Sequence, residues 1–221
     1  MALRMDFEQA RHNMIEQQIR PWEVLDQRTL DLFDAIHRED FMPPTYRQLA
    51  FADINIPLSR DQVTMTPKVE ARLLQALALR KEDRVLEVGT GCAFLTALLG
   101  CAGGHVDSVD IFPEFTRSAQ GKLDRHGLDN VALYTTDAAR GWGDPHTYDA
   151  IAVTGSVPIL TGDFQRQLRI GGRLFMIVGQ PPVMEANLIM RVGEQEWRQE
   201  SLFETEIPPL VNAPKPSGFR F

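Results

Sequence analysis

Short apolar segments alternate with helical ones between Thr66 and Gly179, and this alternation restricts the possible folds more than any other feature of the chain. Strands are predicted within five segments, RVLEVG, HVDSVDI, NVALYT, YDAIAVTG and RLFMIVG. Helices are predicted before and between them, from Pro67, over 92–102, over 113–127 and around 160–168. A β-α-β rhythm of this kind is typical of a parallel sheet with helices on both faces.

The segments on either side of this alternation have a different character. Residues 1–60 predict a helical extension packed on the core, with one helix from about Phe7 to Ile19 and a second after Asp26. Residues 61–221 predict the α/β domain, so that the chain forms a single compact domain overall. After the fifth strand, the segments MEANLIMRV and EWRQESLFETEI predict an antiparallel hairpin that closes one edge of the sheet.

Composition and charge exclude several classes of function. The formal net charge of −7 and the lack of a basic block argue against a nucleic-acid partner. The longest apolar runs are too short to cross a membrane, and the N-terminal segment lacks the apolar stretch of a signal peptide. Two cysteines, Cys92 and Cys101, make neither a disulfide framework nor a zinc cluster. We therefore expect a cytoplasmic protein without a metal, as a monomer or a weak dimer.

The first predicted strand runs into a glycine-containing turn, EVGTGCAF, of the kind that lets a backbone approach a ligand closely. A dinucleotide fingerprint places a small residue three positions after the second glycine, and that position holds Phe94. The small residue, Ala93, comes one position earlier, and no lysine follows as a phosphate-binding loop would require. The turn therefore predicts a ligand site that is not a usual pyrophosphate site, which argues against a nicotinamide oxidoreductase.

Acidic residues stand near the ends of three successive predicted strands, where parallel sheets bind their ligands. Glu87, just before the glycines, would repel phosphates and suit an ammonium group. Asp110 is placed to hydrogen-bond ribose hydroxyls, and Asp137 to accept from an exocyclic amine. Taken alone, Asp110 has a simpler interpretation as a helix cap and Asp137 as a turn residue. Taken together, the three acids would bind a ribose, an exocyclic amine and an ammonium group, and this combination predicts S-adenosylmethionine as the cofactor. The predicted cofactor-binding residues are Glu87, Gly89, Thr90, Gly91, Asp110, Ile111, Asp137 and Ala138.

These motifs resemble those of class I methyltransferases, and more closely those of the protein-L-isoaspartate O-methyltransferase family, over nearly the whole chain. DRVLEVGTGCAFLTALL is similar to the family's glycine-loop motif, with Ala93 where a third glycine is usual. DSVDI is similar to its ribose-acid motif, with Asp110 where glutamate is usual. TTDAARGW is similar to the stretch around its third acid, and HREDFMP resembles its R-E-x-F-x-P.

The resemblance implies both a fold and an activity. The implied fold is the α/β, Rossmann-like fold of class I methyltransferases, with a seven-stranded, mostly parallel sheet, helices on both faces and an antiparallel last strand. The implied activity is transfer of a methyl group from S-adenosylmethionine to the α-carboxylate of L-isoaspartyl residues, which starts the repair of damaged proteins. A protein or peptide carrying isoaspartyl residues is then the expected partner.

The family's acceptor loop, G-Q-T-I-S-Q-P, corresponds here to DQVTMTP, which starts at Asp61. Met65 falls where the family has serine, Val63 where it has threonine, and Asp61 replaces a glycine. The resemblance implies that this loop, with Thr64, Met65 and Thr66 at its centre, faces the acceptor at the methyl end of the cofactor.

Two of these replacements weaken the expected activity. Methionine cannot donate a hydrogen bond, and Asp61 adds negative charge beside an anionic substrate. We therefore expect weak or absent methylation of isoaspartyl peptides unless Thr64 or Thr66 supplies the lost donor. Met65 also has a simple interpretation as a packing residue, and Thr66 as the hydroxyl cap of the helix that begins at Pro67. The alternatives are a paralogue that binds the cofactor and methylates another acceptor, and a binding or regulatory protein with weak or lost catalysis.

Overall fold

The computed structural model describes residues 5–216 and contains one sheet in that range. Its strands are β1 (Arg84–Val88), β2 (His105–Asp110), β3 (Val131–Thr135), β4 (Tyr148–Val157), β5 (Leu168–Gln180), β6 (Val183–Arg191) and β7 (Trp197–Glu204). They lie in the order β3-β2-β1-β4-β5-β6-β7. Strands β1 to β5 pair in parallel, whereas β6 is antiparallel to β5 and β7 is antiparallel to β6. The predicted fold class and the predicted antiparallel hairpin are confirmed.

The α-helices of the described chain begin where the sequence signals place them. They are α1 (Phe7–Met14), α2 (Gln27–Ala35), α3 (Pro67–Leu77), α4 (Phe94–Ala102) and α5 (Pro113–Arg125). Asp26 caps α2 by accepting a hydrogen bond from the Thr29 N–H at 3.0 Å, and α3 and α5 each start with a proline. The predicted first helix is present, but a π-helical turn winds its last part, Ile15–Ile19. None of the helices in residues 5–216 is both long and apolar enough to span a bilayer.

The helix predicted around 160–168 is wrong. The structure has a single 3-10 turn there, Gln165–Gln167, and β5 already begins at Leu168. Gly162 has a left-handed φ of 79°, which does not continue a helix, and Leu168 pairs with Tyr148 of β4 as the first residue of β5. The N–H groups of His146 and Thr147 also donate to the carbonyls of residues 166 and 167, at 3.1 and 2.9 Å, and hold this end of the segment against the start of β4.

The N-terminal segment packs on the α/β core through aromatic rings and a buried ion pair. Phe33 and Phe41 contact Phe94 of α4, with ring centroids 5.6 and 5.7 Å away. Arg38 pairs with Glu70 of α3 at 3.0 Å, and both side chains are buried. The segment therefore covers α4, the helix that follows the glycine turn.

Candidate functional site

The carboxyl ends of β1, β2 and β4 open into a cleft, here called the main cleft, that encloses about 670 Å³ including its mouth. Since β1 pairs with β2 on one side and β4 on the other, the cleft lies at the switch point where open α/β sheets bind their ligands. Six of the predicted cofactor residues line it, namely Gly89, Gly91, Asp110, Ile111, Asp137 and Ala138.

Both glycines of the turn adopt backbone angles that other residues rarely adopt. Gly89 has a φ of 102°, and an added Cβ would collide with the hydroxyl of Thr154. Gly91 has a φ of 50°, and an added Cβ would have only Leu58 near it, at 3.5 Å. A side chain at position 91 would thus occupy open space beside Leu58, which also lines the main cleft, so that the turn needs its glycines for two different reasons.

Asp110, at the end of β2, is 7% exposed and ties the turn to the sheet. Its Oδ2 accepts from the Gly91 N–H at 3.0 Å, and its Oδ1 accepts from the Phe112 N–H at 2.9 Å. Burial raises the pKa of this carboxyl, although the backbone donors oppose the rise. Each oxygen keeps a further lone pair, so the carboxylate can still accept from hydroxyls of a ligand in the main cleft.

Replacing Asp110 by alanine should weaken the binding of S-adenosylmethionine by about 1.5–3 kcal/mol, the scale for hydrogen bonds to a charged group. Titration calorimetry measures the change, with Asp129→Ala, at an exposed acid just before β3, as the control. Unchanged affinity in a folded Asp110→Ala protein would remove this carboxylate from the site.

The remaining two predicted cofactor residues, Glu87 and Thr90, line a second space behind the glycine turn. This space, here called the inner chamber, encloses about 330 Å³ and shares several wall residues with the main cleft. The shared residues are Leu58, Val63, Gly89, Gly91 and Thr154. The structure therefore divides the predicted cofactor residues between two adjoining spaces.

Glu87 is fully buried beside the inner chamber, and only one of its two carboxyl oxygens has hydrogen-bond partners in the described residues. Its Oε2 accepts from the hydroxyls of Thr96 and Ser108, each at 2.5 Å. Its Oε1 is also buried, and it has no hydrogen-bond partner among residues 5–216. Burial raises the pKa of Glu87 to about 8, against the opposing effect of the two hydroxyls. An orphaned, buried carboxyl oxygen beside this chamber fits the ammonium group of a ligand.

Asp137 lies at the exposed mouth of the main cleft. Its Oδ1 accepts from the Ala139 N–H at 2.9 Å, and its Oδ2 accepts from the Asn212 amide at 2.8 Å. The carboxylate thus joins the turn after β3 to the C-terminal part of the chain. Its predicted contact with an exocyclic amine stays a prediction.

The segment after β7 forms a wall of the main cleft that sequence reasoning missed. The predicted strand segment EWRQESLFETEI extends to Ile207, but β7 ends at Glu204 and residues 207–211 line the cleft. Ser156 holds this wall: its N–H donates to the Pro208 carbonyl at 3.1 Å, and its hydroxyl donates to the Ile207 carbonyl at 2.9 Å. The two consecutive prolines were the available signal, because they cannot continue a ladder of backbone donors.

The acceptor loop reaches the site only in part. Thr64 and Met65 are 4% and 5% exposed and line the inner chamber, and the Met65 side chain belongs to the main apolar cluster. Thr66 faces away, into a separate cavity beside Trp22. The predicted hydroxyl cap at Thr66 is wrong: its Oγ1 makes no cap hydrogen bond and has no partner in the described residues. Asp61 is exposed and lines neither the main cleft nor the inner chamber.

The sequence is similar to known proteins over nearly its whole length. A family model described as Protein-L-isoaspartate(D-aspartate) O-methyltransferase (PCMT) matches residues 9–214. The Protein-L-isoaspartate O-methyltransferase of Rhodopseudomonas palustris is 35% identical over 211 residues, which cover 93% of this chain and 97% of that protein. The Protein-L-isoaspartate O-methyltransferase 2 of Pelobacter propionicus is 35% identical over 208 residues, covering 93% and 92%.

The fold is similar to that of solved structures. A chain named protein-L-isoaspartate O-methyltransferase superposes with a TM-score of 0.76 at 23% identity, covering 91% of this chain and 66% of that one. A Plasmodium falciparum structure named for the same activity, in complex with S-adenosyl-L-homocysteine, superposes with a TM-score of 0.75 at 14% identity, covering 94% and 99%. At these identities the likeness concerns the fold.

Proposed function

The chain belongs to the protein-L-isoaspartate O-methyltransferase family, and from this premise we propose that it methylates the free carboxylate of isoaspartyl residues in proteins and peptides. The methyl donor is S-adenosylmethionine. The observation that carries the proposal is the pair of buried acids at the glycine turn, Asp110 in the main cleft and Glu87 in the inner chamber. They stand in the two motifs by which the sequence resembles this family.

Each part of the site has a distinct task in this proposal. The orphaned Oε1 of Glu87 binds the ammonium group of the cofactor, and Asp110 accepts from the ribose hydroxyls. The two glycines of the turn leave room for the cofactor, whose sulfonium carries the methyl group and loses its positive charge on transfer. The wall at 207–211 and the loop residues Leu58 and Val63 exclude water from the reacting atoms.

The reaction needs few catalytic side chains. An exposed carboxylate with an ordinary pKa near 4 is ionised at neutral pH, so the nucleophile needs no general base. Alignment of carboxylate and methyl group, together with exclusion of water, supplies most of the rate. A site built mainly from backbone, small residues and two buried acids is therefore sufficient for this chemistry.

The structure of the acceptor loop gives little support to the two alternatives, a different methyl acceptor and a binding protein with weak or lost catalysis. Asp61 lies at an exposed turn outside both spaces, so its charge is directed to solvent rather than towards the substrate. Met65 packs in the apolar cluster, as a serine in its place could not. Family membership favours the isoaspartyl acceptor over a different acceptor or a loss of catalysis.

We further propose that the protein acts in the cytoplasm as a single compact domain, as a monomer or a weak dimer, without a nucleic-acid or membrane partner. The net charge of −7 supports this proposal, because it disfavours polyanionic surfaces.

The test is methyl transfer from labelled S-adenosylmethionine to a peptide with one isoaspartyl residue. We expect a base-labile methyl ester on this peptide and none on the peptide of the same sequence with normal aspartate. Equal labelling of both peptides, or none with an enzyme that binds the cofactor, would point to another acceptor.

A further inference from the structure

Ala93 is the residue of the glycine turn that has a Cβ and still adopts a left-handed backbone conformation. Its φ is 70° and its ψ is 12°, a region that residues with a Cβ enter at an energetic cost. Among residues 5–216, six other residues that are not glycine have a positive φ, and all six are exposed, whereas Ala93 is fully buried. A buried conformation of this kind persists only where the surrounding structure holds it.

Hydrogen bonds fix the peptide planes on both sides of Ala93. In the preceding plane, the Ala93 N–H donates to the Thr90 carbonyl at 2.8 Å. The carbonyl of the same plane, that of Cys92, accepts from the Lys122 ammonium group at 3.0 Å. In the following plane, the Ala93 carbonyl accepts from the Ala97 N–H at 3.1 Å. Because φ and ψ describe the rotation of these two planes about one Cα, the three bonds together hold the left-handed conformation. Lys122 makes the only one of the three that comes from a side chain.

Lys122, on α5, joins the glycine turn to the N-terminal segment. Its Nζ also donates to the Phe41 carbonyl at 2.8 Å, and the Phe41 ring packs on Phe94, the first residue of α4. No carboxylate pairs with Lys122 in the part of the chain that the structure describes, and burial lowers the pKa of its amine. Burial of an ammonium group is unfavourable, so the two carbonyls are the groups that compensate for it.

The conformation of the turn shapes both spaces of the site. Gly91 lines the main cleft and the inner chamber, and Cys92 lines the inner chamber. The Gly91 N–H is in turn held by Asp110. A rotation of the peptide plane between Cys92 and Ala93 would therefore move the wall against which the cofactor binds in the proposed function.

We propose that Lys122 is a positioning residue of the cofactor site, whose hydrogen bond to the Cys92 carbonyl holds Ala93 in the left-handed conformation that gives the glycine turn its ligand-binding shape. The inference rests on the proposed function, because it takes the turn as the binding site of S-adenosylmethionine. A glycine at position 93 would adopt the same angles without a steric cost, and the turn would then depend less on Lys122.

The first experiment measures the affinity of Lys122→Met for S-adenosylmethionine by titration calorimetry. Methionine keeps most of the bulk and removes the donor, so the free turn relaxes, and we expect a roughly tenfold loss of affinity. The KM for S-adenosylmethionine should rise by the same factor, while kcat at saturating S-adenosylmethionine changes less than about threefold. Lys81→Met is the matched control, because Lys81 donates to the Cys101 carbonyl near the other end of α4 and its loss should leave the affinity unchanged.

The second experiment adds Ala93→Gly, which removes the Cβ that makes the left-handed conformation costly. Ala93→Gly alone should bind S-adenosylmethionine about as tightly as the wild type does. In its presence, Lys122→Met should lower the affinity by less than about threefold, so that the two substitutions are not additive. If Lys122 were only a general anchor of α5 on the N-terminal segment, its replacement would cause the same loss with and without Ala93→Gly.

The outcomes separate the inference from the function on which it rests. A wild-type protein that binds no S-adenosylmethionine overturns both, and one that binds it but methylates no isoaspartyl peptide overturns the proposed function alone. Wild-type binding that Lys122→Met leaves unchanged overturns the inference alone, as does an equal loss of affinity with and without Ala93→Gly. Should Lys122→Met fail to fold, the inference requires Ala93→Gly to restore both the fold and the affinity, and a protein that stays unfolded with both substitutions contradicts it.

Discussion

Gly91→Val should fold and bind no S-adenosylmethionine that calorimetry can detect. Gly91 has a φ of 50°, where a residue with a Cβ costs roughly 1–2 kcal/mol and a β-branched one more. The added carbons would occupy open space beside Leu58, where the main cleft and the inner chamber meet. We expect at least a hundredfold loss of affinity, about 3 kcal/mol.

A matched control separates backbone strain from loss of space. Gly127, after α5, also has a left-handed φ of 68°, and an added Cβ there would meet nothing within 4 Å. Gly127→Val should therefore lower the free energy of unfolding by a similar amount and leave cofactor affinity as it was. Equal affinities in the two variants would show that the ligand does not lie against Gly91.

The second large effect concerns the dependence of stability on pH. Burial raises the pKa of Glu87 from the usual 4.5 to about 8, so the fold favours the protonated carboxyl. The stability that this group contributes is fully present below pH 4.5 and is lost as the pH rises towards 8. Glu87→Gln keeps a neutral side chain at every pH. Between pH 4.5 and 8 the free energy of unfolding of the wild type should therefore fall by on the order of 4 kcal/mol more than that of the variant. Denaturation by urea at pH 5, 7 and 9 measures the difference.

The same carboxyl should release a proton when the cofactor binds. At pH 7 the free protein holds Glu87 mostly protonated, and an ammonium group against Oε1 would favour the ionised form. Calorimetry at pH 7 in two buffers of different ionisation enthalpy should detect close to one proton for the wild type and much less for Glu87→Gln. Glu70, whose pKa burial raises to about 7, is the other carboxyl that lines the inner chamber, and this variant leaves it intact. Equal proton release in both proteins would assign the titration to Glu70 or to Asp110.

The sequence predicted the parallel sheet and the main part of the site because both depend on local patterns. A strand, a glycine turn and an acid at the next strand end place Gly89, Gly91 and Asp110 together in any sheet of this order. The helix around 160–168 could not be predicted correctly, since its last residue, Leu168, pairs in the sheet with Tyr148, which is distant in sequence. Local helical preference yields to such pairing.

The contacts of Arg38 could not be predicted from single sequence motifs. HREDFMP marked the position, but the contacts of Arg38 with Ala50, Met65 and Glu70 cross 12, 27 and 32 residues of chain. Composition and periodicity do not report which carbonyls a buried guanidinium meets. The same is true of Thr66, whose cap-like sequence position gave no sign that its hydroxyl would be left without a partner.

The cofactor site can be completed only late in synthesis, because the wall at 207–211 follows all seven strands in the chain. A ribosome releases this segment after all seven strands, so a growing chain can complete the sheet while one side of the cleft is still missing. Until then the cofactor has no closed site, and its binding energy cannot stabilise the nascent domain. The newly made domain must therefore be stable without bound cofactor. A proteolytic cut between β7 and residue 207 that released the wall would leave the folded protein equally dependent on its own packing and hydrogen bonds.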